Sequence, residues 1–304
     1  MKLSSDILLE RKSLKKQATK WRLIALIILI IAVISFANFN GAIDKVSGKD
    51  HIARIEITGI IQYDKEKLEK LESILENKHI KGVLLFIDSP GGTALGGETY
   101  YNVLKKISAK IPLVTIMGDL ATSAGYMIAL PSTYIVAHNA TITGSIGVLI
   151  QLPNLAEISK KIGVKVSTIK SGDLKGEPNI FEEPTPESIG VLKAAIDDFS
   201  VFFKRLVAEN RNLSVSLVDK LADGRIYTAN QAKDLKLIDA VADEEFAQKY
   251  LKEKLKDENI SIVDYELEPA KSWLEKAIPQ EKIQGKIFSS LLNTLFSAHK
   301  LLMF

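Results

Sequence analysis

The chain reads as an α/β protein of alternating short strands and helices, preceded by an apolar N-terminal segment. Three observations carry that reading. Gly82–Asp88 is a continuous apolar run of the length expected for a strand buried on both faces. Helix-length stretches at Lys65–Leu75 and about 95–110 flank it, the first charged and amphipathic. Strand-like runs recur at Leu113–Met117 and Tyr134–Ala137, and repeated strand–helix alternation favours a layered sheet with right-handed crossovers.

Taken in order, residues 40–50 form a short polar linker and Ile52–Ile61 a first strand. After Leu113–Met117 a helix begins at Ser123 and runs through Tyr126-Met127-Ile128-Ala129-Leu130. A further helix is expected near Leu155–Ile162. Val164–Ile169 alternates apolar and polar residues, so it reads as β structure able to carry the residues after it to a partly buried site. The proline-marked loop over 176–184 is followed by Thr185-Pro186-Glu187, with threonine as N-cap and proline in the first turn. The helix it opens runs to about Glu209. Its stripe of Leu192, Ile196, Phe199, Phe203 and Leu206 suits core or subunit packing. No internal repeat is visible.

Composition excludes several functions. The 304 residues are 46% hydrophobic and 25% charged, with a formal net charge of +3, too small to argue for a nucleic-acid partner. Cysteine is absent, which removes disulfides and thiolate metal sites. No His/Asp/Glu group has metal-ligand spacing, and Gly91-Gly92 lacks the Gly-Lys-Ser/Thr of a phosphate-binding loop. No cofactor is expected.

The N-terminus carries a membrane signature. Trp21–Phe39 holds 19 residues, and at about 1.5 Å each a helix would reach roughly 28 Å, close to the apolar thickness of a bilayer. Seven basic residues (Lys2, Arg11, Lys12, Lys15, Lys16, Lys20 and Arg22) precede or border it, which places the N-terminus in the cytoplasm and the main domain outside. A cleaved signal peptide ending at Ser35-Phe36-Ala37 is the competing reading, disfavoured by the long basic region and long apolar run. The expected organisation is a basic tail (1–20), a transmembrane anchor (21–39), a linker (40–50), a catalytic domain (51–265) and an amphipathic segment (266–304). That last segment suits either a membrane surface or subunit packing.

Four short motifs could carry chemistry. Asp88-Ser89-Pro90-Gly91-Gly92 is a glycine turn directly after the buried strand, and Ala121-Thr122-Ser123-Ala124-Gly125-Tyr126 places a serine before a helix. Thr143-Gly144-Ser145 follows Ser123 by 22 positions, and Lys175 follows it by 52. Taken singly, each is bland: Ser123 as an N-cap, Lys175 as a solvated lysine, the others as turns, with Asp88 a structural turn or cap residue. A serine nucleophile needs a base, and none of His51, His79, His138 and His299 lies in a suitable motif. A lysine can serve if its amine is neutral, which burial favours.

In order and at these spacings, the motifs resemble the signal peptide peptidase A family of membrane-anchored serine proteases over about residues 52–240. The Gly224-Arg225-Ile226-Tyr227-Thr228 run and Leu237-Ile238-Asp239 add to the likeness. The resemblance implies a crotonase-like (Clp-peptidase-like) spiral and a Ser/Lys dyad: Ser123 as nucleophile, Lys175 as general base, Ser145 orienting Lys175. It also implies an oxyanion hole from the backbone N–H groups of Gly92 and Ala124. The family usually has glycine where Ala124 stands, a change expected to leave the donor intact and narrow the pocket. Peptide substrates, a lipid bilayer and a ring-shaped homo-oligomer with the dyad shared between subunits follow by the same resemblance, in a bacterial inner membrane. Three rivals stand beside it: a related Ser/Lys protease that cuts a membrane partner protein, a crotonase-fold acyl-CoA enzyme, and an inactive peptide-binding scaffold. The 52-residue separation disfavours the first, whose Ser-to-Lys gap is shorter, and the anchor and Ser/Lys pair disfavour the second.

Overall fold

The computed structural model describes residues 20–29 and 48–267. The chain divides into two compact units, Met1–His51 and Ile52–Phe304. Within the first, residues 20–29 form a helix (α1) whose Trp21, Leu23, Ile24 and Leu26–Leu29 side chains are exposed. Among the described residues no helix is long and apolar enough to cross a membrane. The remainder of the expected anchor, 30–39, and the C-terminal segment from residue 268 lie outside the described residues.

The second unit is built on a mixed sheet. Its path begins with β1 (His51–Ile61), α2 (Lys65–Glu72), a 3-10 turn at Ser73–Glu76, β2 (Ile80–Gly92), α3 (Ala94–Ser108), β3 (Leu113–Thr122) and α4 (Ala124–Ala129). It continues through β4 (Tyr134–Ala137), β5 (Ile142–Gly144), α5 (Ala156–Lys161), α6 (Pro186–Arg211), α7 (Val215–Leu221) and β6 (Ile226–Thr228). α8 (Ala229–Asp234), β7 (Ala240–Val241), α9 (Glu244–Leu255) and β8 (Ser261–Asp264) follow among the described residues. The strands run in the order β6-β5-β3-β2-β1-β8. β4 joins β3, and β7 joins β4.

β2 and β3 explain why the apolar runs are unbroken. Val83, Leu85 and Ile87 point into one core with α3, α4 and α6, whereas Leu84 enters a second core with Ala247 and Leu251 of α9. A strand with helices on both faces needs apolar residues at successive positions, not alternate ones. Each fully buried Leu or Ile contributes roughly 1.5–3 kcal/mol relative to exposure.

β3 is also where the sheet forks. Its first half, Val114–Met117, pairs in parallel with β4, and its second half, Leu120–Thr122, with β5. Asp88 supports the irregularity in β2 beside this fork, its Oδ1 accepting the Leu120 N–H at 3.0 Å. That is a structural role, as expected of it.

One stretch departs from the sequence reading. Val164–Ile169 forms no strand and is exposed throughout. Alternation marks a half-buried strand only where a sheet edge receives it, and no strand of this sheet pairs with 164–169. The stripe on α6 also splits: Phe203 and Leu206 are buried, whereas Phe199 is half exposed and the helix overhangs towards its N-terminus.

Candidate active site

Ser123 stands on a strained turn between β3 and α4. Its φ of 53° and ψ of −120° lie outside the regions ordinary residues favour, a conformation that costs roughly 1–3 kcal/mol and persists only when its surroundings enforce it. The enforcement is visible on every side. Its N–H donates to the Gly144 carbonyl at 2.9 Å, and its own carbonyl accepts the Met127 N–H at 2.9 Å. Immediately before it, the Thr122 hydroxyl donates to the Pro90 carbonyl at 2.9 Å. Immediately after it, all six residues of α4 are buried. Ser123 occupies the N-cap position of α4, yet its side chain makes no capping hydrogen bond. A serine that only capped the helix would use its hydroxyl there.

The glycine turn of β2 presses on this serine. Gly91 has a φ of 120°, and a Cβ placed on it would lie 2.8 Å from the Ser123 Cβ and 3.2 Å from its Oγ. Beneath it, the buried Ser89 hydroxyl accepts the Gly91 N–H at 3.1 Å. Gly92 abuts β1 instead: a Cβ there would fall 1.8 Å from the Ile61 carbonyl oxygen. Only glycine fits at either position, for different reasons.

Ala124 packs away from solvent. Its side chain is buried, and a Cβ built on Gly97 of α3 would meet the Ala124 methyl at 3.2 Å. The methyl therefore packs into the α3–α4 contact. α4 has only six residues, so any anion stabilisation there rests on its local N–H groups rather than a long helix dipole.

Ser145 lies beside Ser123. Thr122 faces Gly144 in the β3–β5 register, so the residue just past the end of each strand is a serine. Ser145 has a φ of 51° and its N–H donates to the Arg225 carbonyl at 2.8 Å. The Gly-Arg-Ile-Tyr-Thr run thereby acts through its backbone, as β6 paired to β5.

Lys175 is not brought to this group. It lies in an exposed turn, with its N–H on the Gly172 carbonyl at 3.0 Å, and among the described residues no hydrogen bond joins it to Ser123 or Ser145. The partly buried position expected for it is absent within one chain, because Val164–Ile169 does not enter the sheet. Among the described residues no group of three or more His, Cys, Asp or Glu could hold a metal ion.

Sequence reasoning missed two contributors. Gly91 was legible as half of a Gly-Gly pair, but its pressure on Ser123 was not. Tyr126 is fully buried and its hydroxyl donates to the Leu237 carbonyl at 2.8 Å, fastening α4 to the segment before β7. Burial pushes its phenol well above the ordinary range. Its place inside an apolar run hid that polar contact.

A layered α/β unit with a serine on a strained strand-to-helix turn, flanked by glycines, is an arrangement suited to a serine hydrolase. Residues 55–143 match the Clp protease family, and residues 105–258 match peptidase family S49. A Synechocystis sp. protein named "Putative protease slr0021" is 41% identical over 208 residues, covering 68% of this chain and 75% of its own. An Enterococcus faecium protein named "Putative signal peptide peptidase SppA" is 33% identical over 246 residues, covering 75% of this chain and 72% of its own. Among solved structures, a mutant ClpP1 from Listeria monocytogenes aligns over 64% of this chain and 93% of its own, with 19% identity and a TM-score of 0.43. The chain belongs to peptidase family S49. It is a serine endopeptidase of the signal peptide peptidase A type.

Proposed function

We propose that this chain is a membrane-anchored serine endopeptidase that degrades cleaved signal peptides and other apolar peptides through a Ser123–Lys175 dyad. The Ser123 hydroxyl attacks the scissile carbonyl carbon while the neutral Lys175 amine takes its proton. The resulting oxyanion faces the N–H groups of Gly92 and Ala124. Collapse expels the amine, which takes the proton back from Lys175, and water then hydrolyses the acyl-enzyme with Lys175 again as base. Ser145 orients the lysine.

The observation that carries this reading is Ser123 itself: strained backbone, hydroxyl without a capping bond, glycine turn against it, Ser145 alongside. The position of Lys175 supports a dyad completed between copies. So does the surface around it. Leu149, Ile158, Ile162 and Ile169 are more than half exposed, and the stripe on α6 continues beyond the core through Phe199 and Ile189. Exposed apolar area of this extent on one segment marks an interface. A head-to-tail contact between copies, closed into a ring, covers it and brings Lys175 of one copy to Ser123 of the next. The exposed apolar side chains of α1 support the anchor, and the basic residues before it support a cytoplasmic N-terminus.

The test is labelling with a fluorophosphonate in detergent. Wild-type protein labels at Ser123 and cleaves apolar peptides, and Ser123→Ala does neither while keeping its fold. Turnover by Ser123→Ala at the wild-type rate contradicts the proposal.

A further inference from the structure

Two lysines bracket the turn over residues 170–175, and the fold treats them in opposite ways. Lys170 is held twice: its Nζ donates to the Asp173 carbonyl at 2.6 Å and to Glu177 Oε1 at 2.7 Å. The other carboxylate oxygen of Glu177 accepts the Asn179 N–H at 3.2 Å, and Asn179 Oδ1 accepts the Phe181 N–H at 3.0 Å. Inside the loop so closed, the Lys175 N–H reaches the Gly172 carbonyl at 3.0 Å and the Glu177 N–H reaches the Leu174 carbonyl at 3.3 Å. The Lys175 amine has no partner among the described residues.

We infer that the Lys170–Glu177 ion pair is a positioning clamp for the catalytic lysine, closing the base of the 170–177 loop so that Lys175 is presented as its one uncommitted amine. The inference rests on the reading of Lys175 as general base. Gly172 and Gly176 lie on either side of Lys175, so without a cross-loop tie its backbone has wide freedom. A general base works only within hydrogen-bond reach of its proton, and small displacements of a catalytic group lower the rate steeply. The pair also separates the chemistry of the loop's two amines. The Glu177 carboxylate raises the Lys170 pKa through its hydrogen bond, and Lys170 correspondingly lowers that of Glu177. Lys170 thus stays protonated and cannot take a proton from serine. The Lys170 side chain is 26% exposed and that of Glu177 11%, so the pair sits at the protein surface with the carboxylate side the more covered.

The experiment compares full-length Glu177→Gln, Lys170→Met, the charge-swapped Lys170→Glu/Glu177→Lys and Lys175→Ala with wild type. The readouts are peptide cleavage, fluorophosphonate labelling, oligomer mass and melting temperature. Each single clamp variant should lose about tenfold or more in kcat, with KM little changed and labelling slowed in parallel. The swapped double variant should recover most of that loss, and Lys175→Ala should be inactive. A purely structural pair would move melting temperature and KM instead. If kcat in Glu177→Gln stays within about twofold of wild type while Lys175→Ala is dead, the clamp is overturned and the dyad stands. Activity in Lys175→Ala overturns the base assignment and the clamp with it. Should a single variant fail to assemble, the swapped variant decides: an assembled swap without recovered kcat rejects the clamp.

Discussion

Ser123 and Ser145 leave two adjacent parallel strands side by side, both with positive φ. Thr122 is level with Gly144, the Ser123 N–H is bonded to the Gly144 carbonyl at 2.9 Å, and the two serines have φ values of 53° and 51°. Left-handed backbone at one non-glycine residue is uncommon, and at two neighbours it means that both strands are held from outside. The end of β3 is held by the glycine turn of β2, and the residue after β5 by the Arg225 carbonyl just before β6. The pair of hydroxyls is thus a product of sheet register, and changes that loosen either outer strand should reach the chemistry.

The Gly92→Ala variant tests the β2 side. Its methyl would meet the Ile61 carbonyl oxygen at 1.8 Å, a backbone atom unable to step aside cheaply. We expect a loss of about 1–3 kcal/mol in denaturant unfolding, as for other overpacked sites, together with loss of Ser123 labelling. A variant with the wild-type midpoint and wild-type labelling would show that β1 and β2 are less tightly apposed.

Tyr126→Phe tests the anchor of α4. Removing the hydroxyl leaves the Leu237 carbonyl without that donor in a fully buried place, at a cost of about 1–3 kcal/mol. Because Tyr126 lies on the helix that follows Ser123, kcat should fall as well. Unfolding midpoints and steady-state kinetics check both, and an unchanged midpoint contradicts the expectation.

Arg54 of β1 donates from Nε to Glu244 Oε1 of α9 at 2.7 Å and pairs also with Glu56. Its hydrogen bond holds the Glu244 carboxyl below the ordinary value of 4.5. A depressed folded-state pKa means that the contribution is complete above the ordinary carboxylate pKa and is lost as pH falls through the lowered one. Glu244→Gln should therefore be less stable than wild type near about pH 7, and the gap should shrink towards about pH 3. A pH-independent gap in chemical denaturation would contradict the pairing.

Lys175→Arg should be inactive at every accessible pH, since arginine stays protonated and cannot accept the serine proton. Peptide cleavage across a pH series checks this. An active variant would show that another group takes the proton.

What the sequence disclosed depended on how local the physics was. β2 was legible because double-sided burial leaves an apolar run, and α6 because Thr185 and Pro186 spell its first turn; its N-cap hydrogen bond to Ser188 is present. Ser123, Ser145 and the glycine turn were legible as motifs, and the fold brings them together. β5 and β6, three residues each, carried no periodic signal, since short strands are defined by their partners. Val164–Ile169 misled for the same reason in reverse: it alternates, but this chain gives it no neighbour. The surroundings of Lys175 were illegible because its motif is a short glycine-bounded turn, exposed in this chain, with no periodic signal to say what it packs against.

Mixed assembly tests that reading most directly. Ser123→Ala and Lys175→Ala subunits, each inactive alone, are co-assembled, and mixed oligomers are verified by mass. If Ser123 of one copy meets Lys175 of the next, random mixing in equal amounts leaves about a quarter of the interfaces intact and should restore roughly that share of wild-type cleavage. A dyad within one chain cannot be restored this way, because every chain lacks one member. No recovery in verified mixed oligomers would contradict the shared site.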